Sequence, residues 1–70
     1  MGLQTLFKLV NRLGYVARVS QIRIDGKFIW GASIQDPSQS YKIVGDTDEY
    51  YKRPAEALAG AIENMVKGGK

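Results

Sequence analysis

The order of hydrophobic periods along this chain predicts an α+β fold, a two-layer αβββα sandwich in which both helices cover one face of a three-stranded antiparallel meander. Three observations carry that expectation. Residues 3–13 and 54–66 repeat their apolar side chains every three or four positions, which is the helical period. Residues 22–34 (IRIDGKFIWGASI) alternate instead, on either side of Asp25-Gly26, a hairpin signal. At 70 residues there is room for one domain, 1–70, near the lower size at which a single core supports itself. Two amphipathic helices on one sheet face make a shared interior from these parts.

In the first helix Leu3, Leu6, Phe7, Leu9, Val10 and Leu13 form the apolar stripe, Gln4, Lys8, Asn11 and Arg12 fall opposite, and Gly14 supplies the stop. A helix this short needs tertiary packing to persist, so the stripe is expected to be core. Tyr15 to Ile24 reads as the first strand, although Arg18 and Ser20 interrupt its inward row; an open core edge or a bulge near Ser20 accounts for them equally. Lys27 to Ile34 is the clearest strand.

Asp25-Gly26 permits two registers. A two-residue type I′ loop puts Phe28 and Trp30 on the side of Gln21 and Arg23; a three-residue loop with Gly26 in a left-handed bulge pairs Ile22 with Phe28. The second gathers Val16, Ile22, Ile24, Phe28, Trp30, Ala32 and Ile34 on one face, and it is the register expected here, because a one-residue slip turns every side chain over. Trp30 then sits at the centre of the inward row.

Asp36-Pro37-Ser38-Gln39 is a turn, with aspartate at its first position and proline at its second. A third strand follows over Ser40 to Val44, closed by Gly45, with Tyr41 and Ile43 inward and Lys42 and Val44 outward. Thr47 is placed to cap a single turn in the irregular stretch 46–53. Pro54 opens the last helix, whose stripe is Leu58, Ala61, Ile62, Met65 and Val66, and Gly68-Gly69 ends it. Gly60 disfavours helix by about 1 kcal/mol, so a close backbone approach is expected there, with the first helix against Ala57, Gly60 and Ala61.

Chemistry is constrained mainly by what the chain lacks. Cysteine and histidine are absent, which removes disulfides, thiolate metal sites and the commonest general bases; no serine has a recognisable activating partner. Asp46, Asp48 and Glu49 begin like a calcium loop but lack its glycine and distal glutamate. No catalytic residues, metal ligands or cofactor are expected. The absence of cysteine, of an apolar run long enough to span a membrane and of a cleavage pattern in residues 1–14 fits a soluble cytoplasmic protein. The net charge of +3 is spread along the chain rather than gathered in a stripe.

Two surfaces are candidates for binding. In the expected register Val19, Ile29 and Val44 project from the helix-free face of the sheet with Arg23, Lys27 and Lys42 around them, a patch of the kind that marks an interface; β-propensity alone also places branched residues on wet strands. Tyr50, Tyr51, Lys52 and Arg53 form an aromatic and basic cluster suited to stacking a base and holding a phosphate. Small size favours pairing, so a homodimer through the bare face or a strand edge is expected.

Two resemblances bear on function. The helix, three strands and helix, with Lys52-Arg53-Pro54-Ala55-Glu56-Ala57-Leu58-Ala59 opening the last helix, resemble the double-stranded RNA-binding domain, whose second helix begins with a lysine pair and an alanine-rich run; that implies phosphate contacts from Lys52 and Arg53. The strand Trp30-Gly31-Ala32-Ser33-Ile34 and the helix introduced by Pro54-Ala55-Glu56-Ala57-Leu58 are similar to small phage-encoded α/β/α proteins in the size class of anti-CRISPR and other anti-defence inhibitors. Such proteins occupy a partner's surface or sequester a ligand. The leading expectation is therefore a non-enzymatic protein-binding module of this phage type, and the alternative is a divergent binder of double-stranded RNA.

Overall fold

The structure, a computed structural model, describes residues 2–47 and 49–68; Asp48 of the acidic run and Gly69 of the expected helix stop lie outside them. The order is α1 (Leu3–Arg12), β1 (Val16–Ile24), β2 (Lys27–Asp36), a 3₁₀ turn (Pro37–Gln39), β3 (Lys42–Asp46) and α2 (Pro54–Gly68). The strands form one antiparallel sheet in the order β1-β2-β3, the expected meander.

Both helices lie on one face. The core unites Leu6 and Val10 of α1 with Ala57, Leu58 and Ala61 of α2 and with Ala32 and Ile34 of β2, and Trp30 packs against its margin. The inward row of β2 is therefore the expected one. The inward row of β1 is not. Ala17 and Val19 pack against the core, while Val16, Ile22 and Ile24 point to the other side, because Ile24 pairs with Lys27 and Ile22 with Ile29. The hairpin has the two-residue loop, with Asp25 at φ 52° and Gly26 at φ 76°, the two left-handed residues a type I′ turn requires. Its ladder runs unbroken from Val16↔Gln35 to Ile24↔Lys27, so neither a bulge near Ser20 nor a three-residue loop is present.

The physical reason lies under α1. With the expected register Arg18 and Ser20 would turn inward where the helices cover the sheet, and a buried arginine costs several kcal/mol. The observed register puts the small Ala17 and the branched Val19 there instead. The helices stop short of the hairpin tip, where Gln21 and every residue from Arg23 to Phe28 are exposed; an isoleucine facing either way at the tip finds nothing to pack against.

The third strand also reverses the expected parity. Asp36 organises the turn before it: its Oδ1 accepts from the Ser38 N–H at 3.0 Å and the Ser38 hydroxyl at 2.7 Å, and its Oδ2 from Gln39 Nε2 at 2.6 Å. The Ser38 hydroxyl first, then Gln39, hold the carboxyl below its ordinary range against a smaller opposing effect of burial. Ser40 and Tyr41 follow in left-handed conformations, and the strand begins at Lys42. Gln35 pairs with Ile43 but Ile34 with Gly45, so Val44 is the extra residue of a bulge. Val44 packs towards the core, and Ile43, beside Gln35, turns to the bare face.

Two glycines mark close approaches. Gly45 lies in β3 where α2 passes so near that a Cβ would stand 2.7 Å from the Ala61 carbonyl oxygen. At Gly60 the neighbour is not α1, as expected, but Tyr51, whose hydroxyl would be 2.5 Å from an added Cβ. Thr47 does not cap a helical turn. Its backbone N–H donates to the Ala32 carbonyl at 3.1 Å, and its Oγ1 accepts from the Ala32 N–H at 3.2 Å. The side chain thus completes the β2 edge where β3 leaves it, and one residue of the next segment returns to it: Tyr51 exchanges N–H···O bonds of 2.8 and 2.9 Å with Trp30.

Candidate functional site

The two-residue turn determines what the helix-free face displays. Even-numbered β1 residues and odd-numbered β2 residues share it, as their pairing requires. Ile22 and Ile29 stand opposite each other towards the hairpin end, with Ile24 beyond them at the tip and Val16 at the far end of β1. Ile43 of β3 lies at that far end, beside Gln35, which pairs with Val16. Tyr50 adds an aromatic ring: a Cβ at Gly31 would lie 3.5 Å from its Cε1, so the ring sits over that glycine, two residues along β2 from Ile29 on the same face. Exposures of 37% for Val16, 47% for Ile24, 54% for Ile43 and 56% for Tyr50 make this an apolar surface rather than a covered one.

Polar groups complete the face without neutralising it. Arg18 and Lys27 lie on it by parity, and Asp46 stands opposite Ser33. Between them Ser20, Gly31, Ser33, Thr47 and Tyr50 line a shallow hollow of about 270 Å³.

Of the six residues expected on this face, Ile29 and Lys27 are there. Val19 and Val44 pack against the core on the helix side. Arg23 lies on the opposite surface of the tip, its guanidinium carbon 5.7 Å from the Phe28 ring centre, a cation-π distance. Lys42 borders an open cleft of about 480 Å³ between β3 and the C-terminal ends of the helices, with Leu13, Tyr15, Met65 and Val66. The register accounts for every displacement on β1 and the bulge for those on β3. Val16, Ile22, Ile24, Ile43 and Tyr50 are the members that sequence reasoning left out of this face; for the three on β1 the signal is the interruption of the assumed inward row by Arg18 and Ser20.

The aromatic and basic cluster is divided. Tyr50 turns to the bare face, Tyr51 to the helix side against Gly60, and Lys52 and Arg53 are exposed ahead of α2. Successive residues of an extended segment point to opposite faces, so the two rings do not form one platform.

Among the described residues no three His, Cys, Asp or Glu side chains gather as a metal site, and no helix is long and apolar enough to cross a membrane. Comparison with protein-family models, curated proteins and solved structures finds no match for the chain.

Proposed function

We propose that the protein is a non-enzymatic binding module that takes a protein partner on the bare face of its sheet. The observation that carries the reading is the set of Ile22, Ile24 and Ile29 at the hairpin end and Val16 and Ile43 at the far end, with the Tyr50 ring over Gly31 between them, on a face that no described element covers. Single exposed apolar residues are ordinary, but several gathered on one uncovered sheet face, bridged here by an aromatic ring, mark interaction surfaces. Aromatic residues and arginine are enriched in such interfaces, and Tyr50 and Arg18 border this one. An inhibitor that works by occupying a partner's surface, as in the phage-type reading, needs a face of this kind.

The experiment is capture with tagged wild type and with the double variant Ile24→Lys/Ile43→Lys, which places charge on the face without touching the core. A partner captured by wild type is expected to be lost from the double variant and kept by Lys8→Glu on the outer side of α1. Equal capture of that partner by the double variant overturns the proposal. Binding of duplex RNA that falls steeply with salt, and weakens in Lys52→Ala/Arg53→Ala, would favour the nucleic-acid reading instead.

A further inference from the structure

We infer that a second copy of this chain pairs antiparallel along the outer edge of β1, about a two-fold axis at Ser20, joining two sheets into one of six strands. The inference goes beyond the reading of the bare face, because it stands on the backbone of the edge.

The direction of the edge groups follows from the other side of the sheet. Trp30 exchanges its N–H and carbonyl bonds with Tyr51, and Ala32 directs its own to Thr47. Both therefore point away from β1, and their β1 partners, Gln21 and Val19, are non-hydrogen-bonded positions of the ladder. The N–H and carbonyl groups of Ala17, Val19, Gln21 and Arg23 consequently face outward, on an edge strand with no described neighbour. This edge has little of the usual protection against strand addition. Over nine residues it contains no proline and, in its pairing with β2, no bulge; its charges are Arg18 and Arg23.

Overlap selects the register. Hydrogen bonding across a two-fold axis must join outward-facing residues to each other, which permits Val19 opposite the second copy's Gln21 and Ala17 opposite its Arg23. All nine residues then overlap, with about eight interstrand hydrogen bonds, within the range of a typical interface. On the bare face Val16 meets Ile24, and Arg18 meets Ile22, so no arginine faces another.

Sedimentation of the full chain across a concentration series is expected to show a monomer–dimer equilibrium, and Gln21→Pro to abolish the dimer. Proline there removes an outward N–H and leaves the β1-β2 ladder intact. The chain has no cysteine, so Ser20→Cys adds a single thiol at the axis. Its Cα would lie about 4.5 Å from the second copy's, within disulfide range. In Ile22→Cys the like positions are displaced by about 13 Å. Under mild oxidation Ser20→Cys should form covalent dimer at least about tenfold faster than Ile22→Cys. A wild type that stays monomeric at every concentration, or equal crosslinking of the two cysteine variants, overturns the inference; the crosslinking pair decides it even if Gln21→Pro fails to fold.

Discussion

Gly45→Ala tests how tightly α2 is seated on the sheet. The added methyl would stand 2.7 Å from the Ala61 carbonyl oxygen, 2.7 Å from Met65 Cβ and 3.4 Å from Met65 Cα. None of these atoms is the far end of a flexible side chain, so relief requires the helix to move off β3 by several tenths of an ångström. That movement loosens Ala57, Leu58 and Ala61, which are fully buried, and close-packed interiors do not absorb it freely. Overpacking of this kind costs about 1–3 kcal/mol. Restricting the unfolded chain by replacing glycine returns about 0.4–1 kcal/mol, leaving a net loss of about 1–2 kcal/mol. In a domain of this size the melting temperature should fall by roughly 5–15 °C, measured by circular dichroism, with an unchanged urea m-value showing that the same surface is still exposed on unfolding. Gly68→Ala, where nothing lies within 4 Å of the added carbon, is the control and should be neutral or slightly stabilising. A Gly45→Ala protein that melts within about 2 °C of wild type would refute the close approach.

Trp30→Ala should cost about 2–3 kcal/mol, less than the 3–5 kcal/mol of a fully buried large aromatic, because the indole packs on the core's margin and is only partly covered; an unchanged urea midpoint would contradict its place there. Asp36 gives the pH dependence a sign: its carboxyl is held below the ordinary value by Ser38 and Gln39, so its contribution is fully present above about pH 4 and is lost as pH falls through the lowered folded value. Asp36→Asn should therefore be less stable than wild type at neutral pH, with the difference shrinking in acid, and a difference that stays constant down to pH 2 would reject the linkage.

The helices, their order and the inward row of β2 were legible because each has a long periodic signal. Leu6, Val10, Leu58 and Ala61 are core at positions the 3.6 period marks, and Pro54 and Pro37 open the segments their missing N–H and fixed φ suit. Asp36 served its turn as its type predicts. The short third strand was harder. Five residues carry too little alternation to establish parity, and the extra residue Val44 inverts it part way along. Thr47 replacing a backbone partner for Ala32 leaves no signature in sequence at all, since a threonine before an acidic residue is equally a helix cap.

The candidate face turned on a competition between two terms that sequence reasoning weighed as if they acted at the same place. Collecting Val16, Ile22 and Ile24 with Phe28 and Trp30 maximises the apolar count on one side, and each isoleucine fully buried would contribute about 1.5–3 kcal/mol. That gain exists only where another layer covers the sheet. Here the covering helices reach Ala17 and Val19 and leave the hairpin tip bare, so the isoleucines at the tip have almost nothing to gain from facing inward, while Arg18 under α1 would lose its hydration. The turn adds its own preference, since Asp25-Gly26 suits the two left-handed residues of the tight loop. Both terms select the register that displays the isoleucines. Their exposure is thus a consequence of where the helices end, and a partner that covers the face recovers the burial the monomer forgoes.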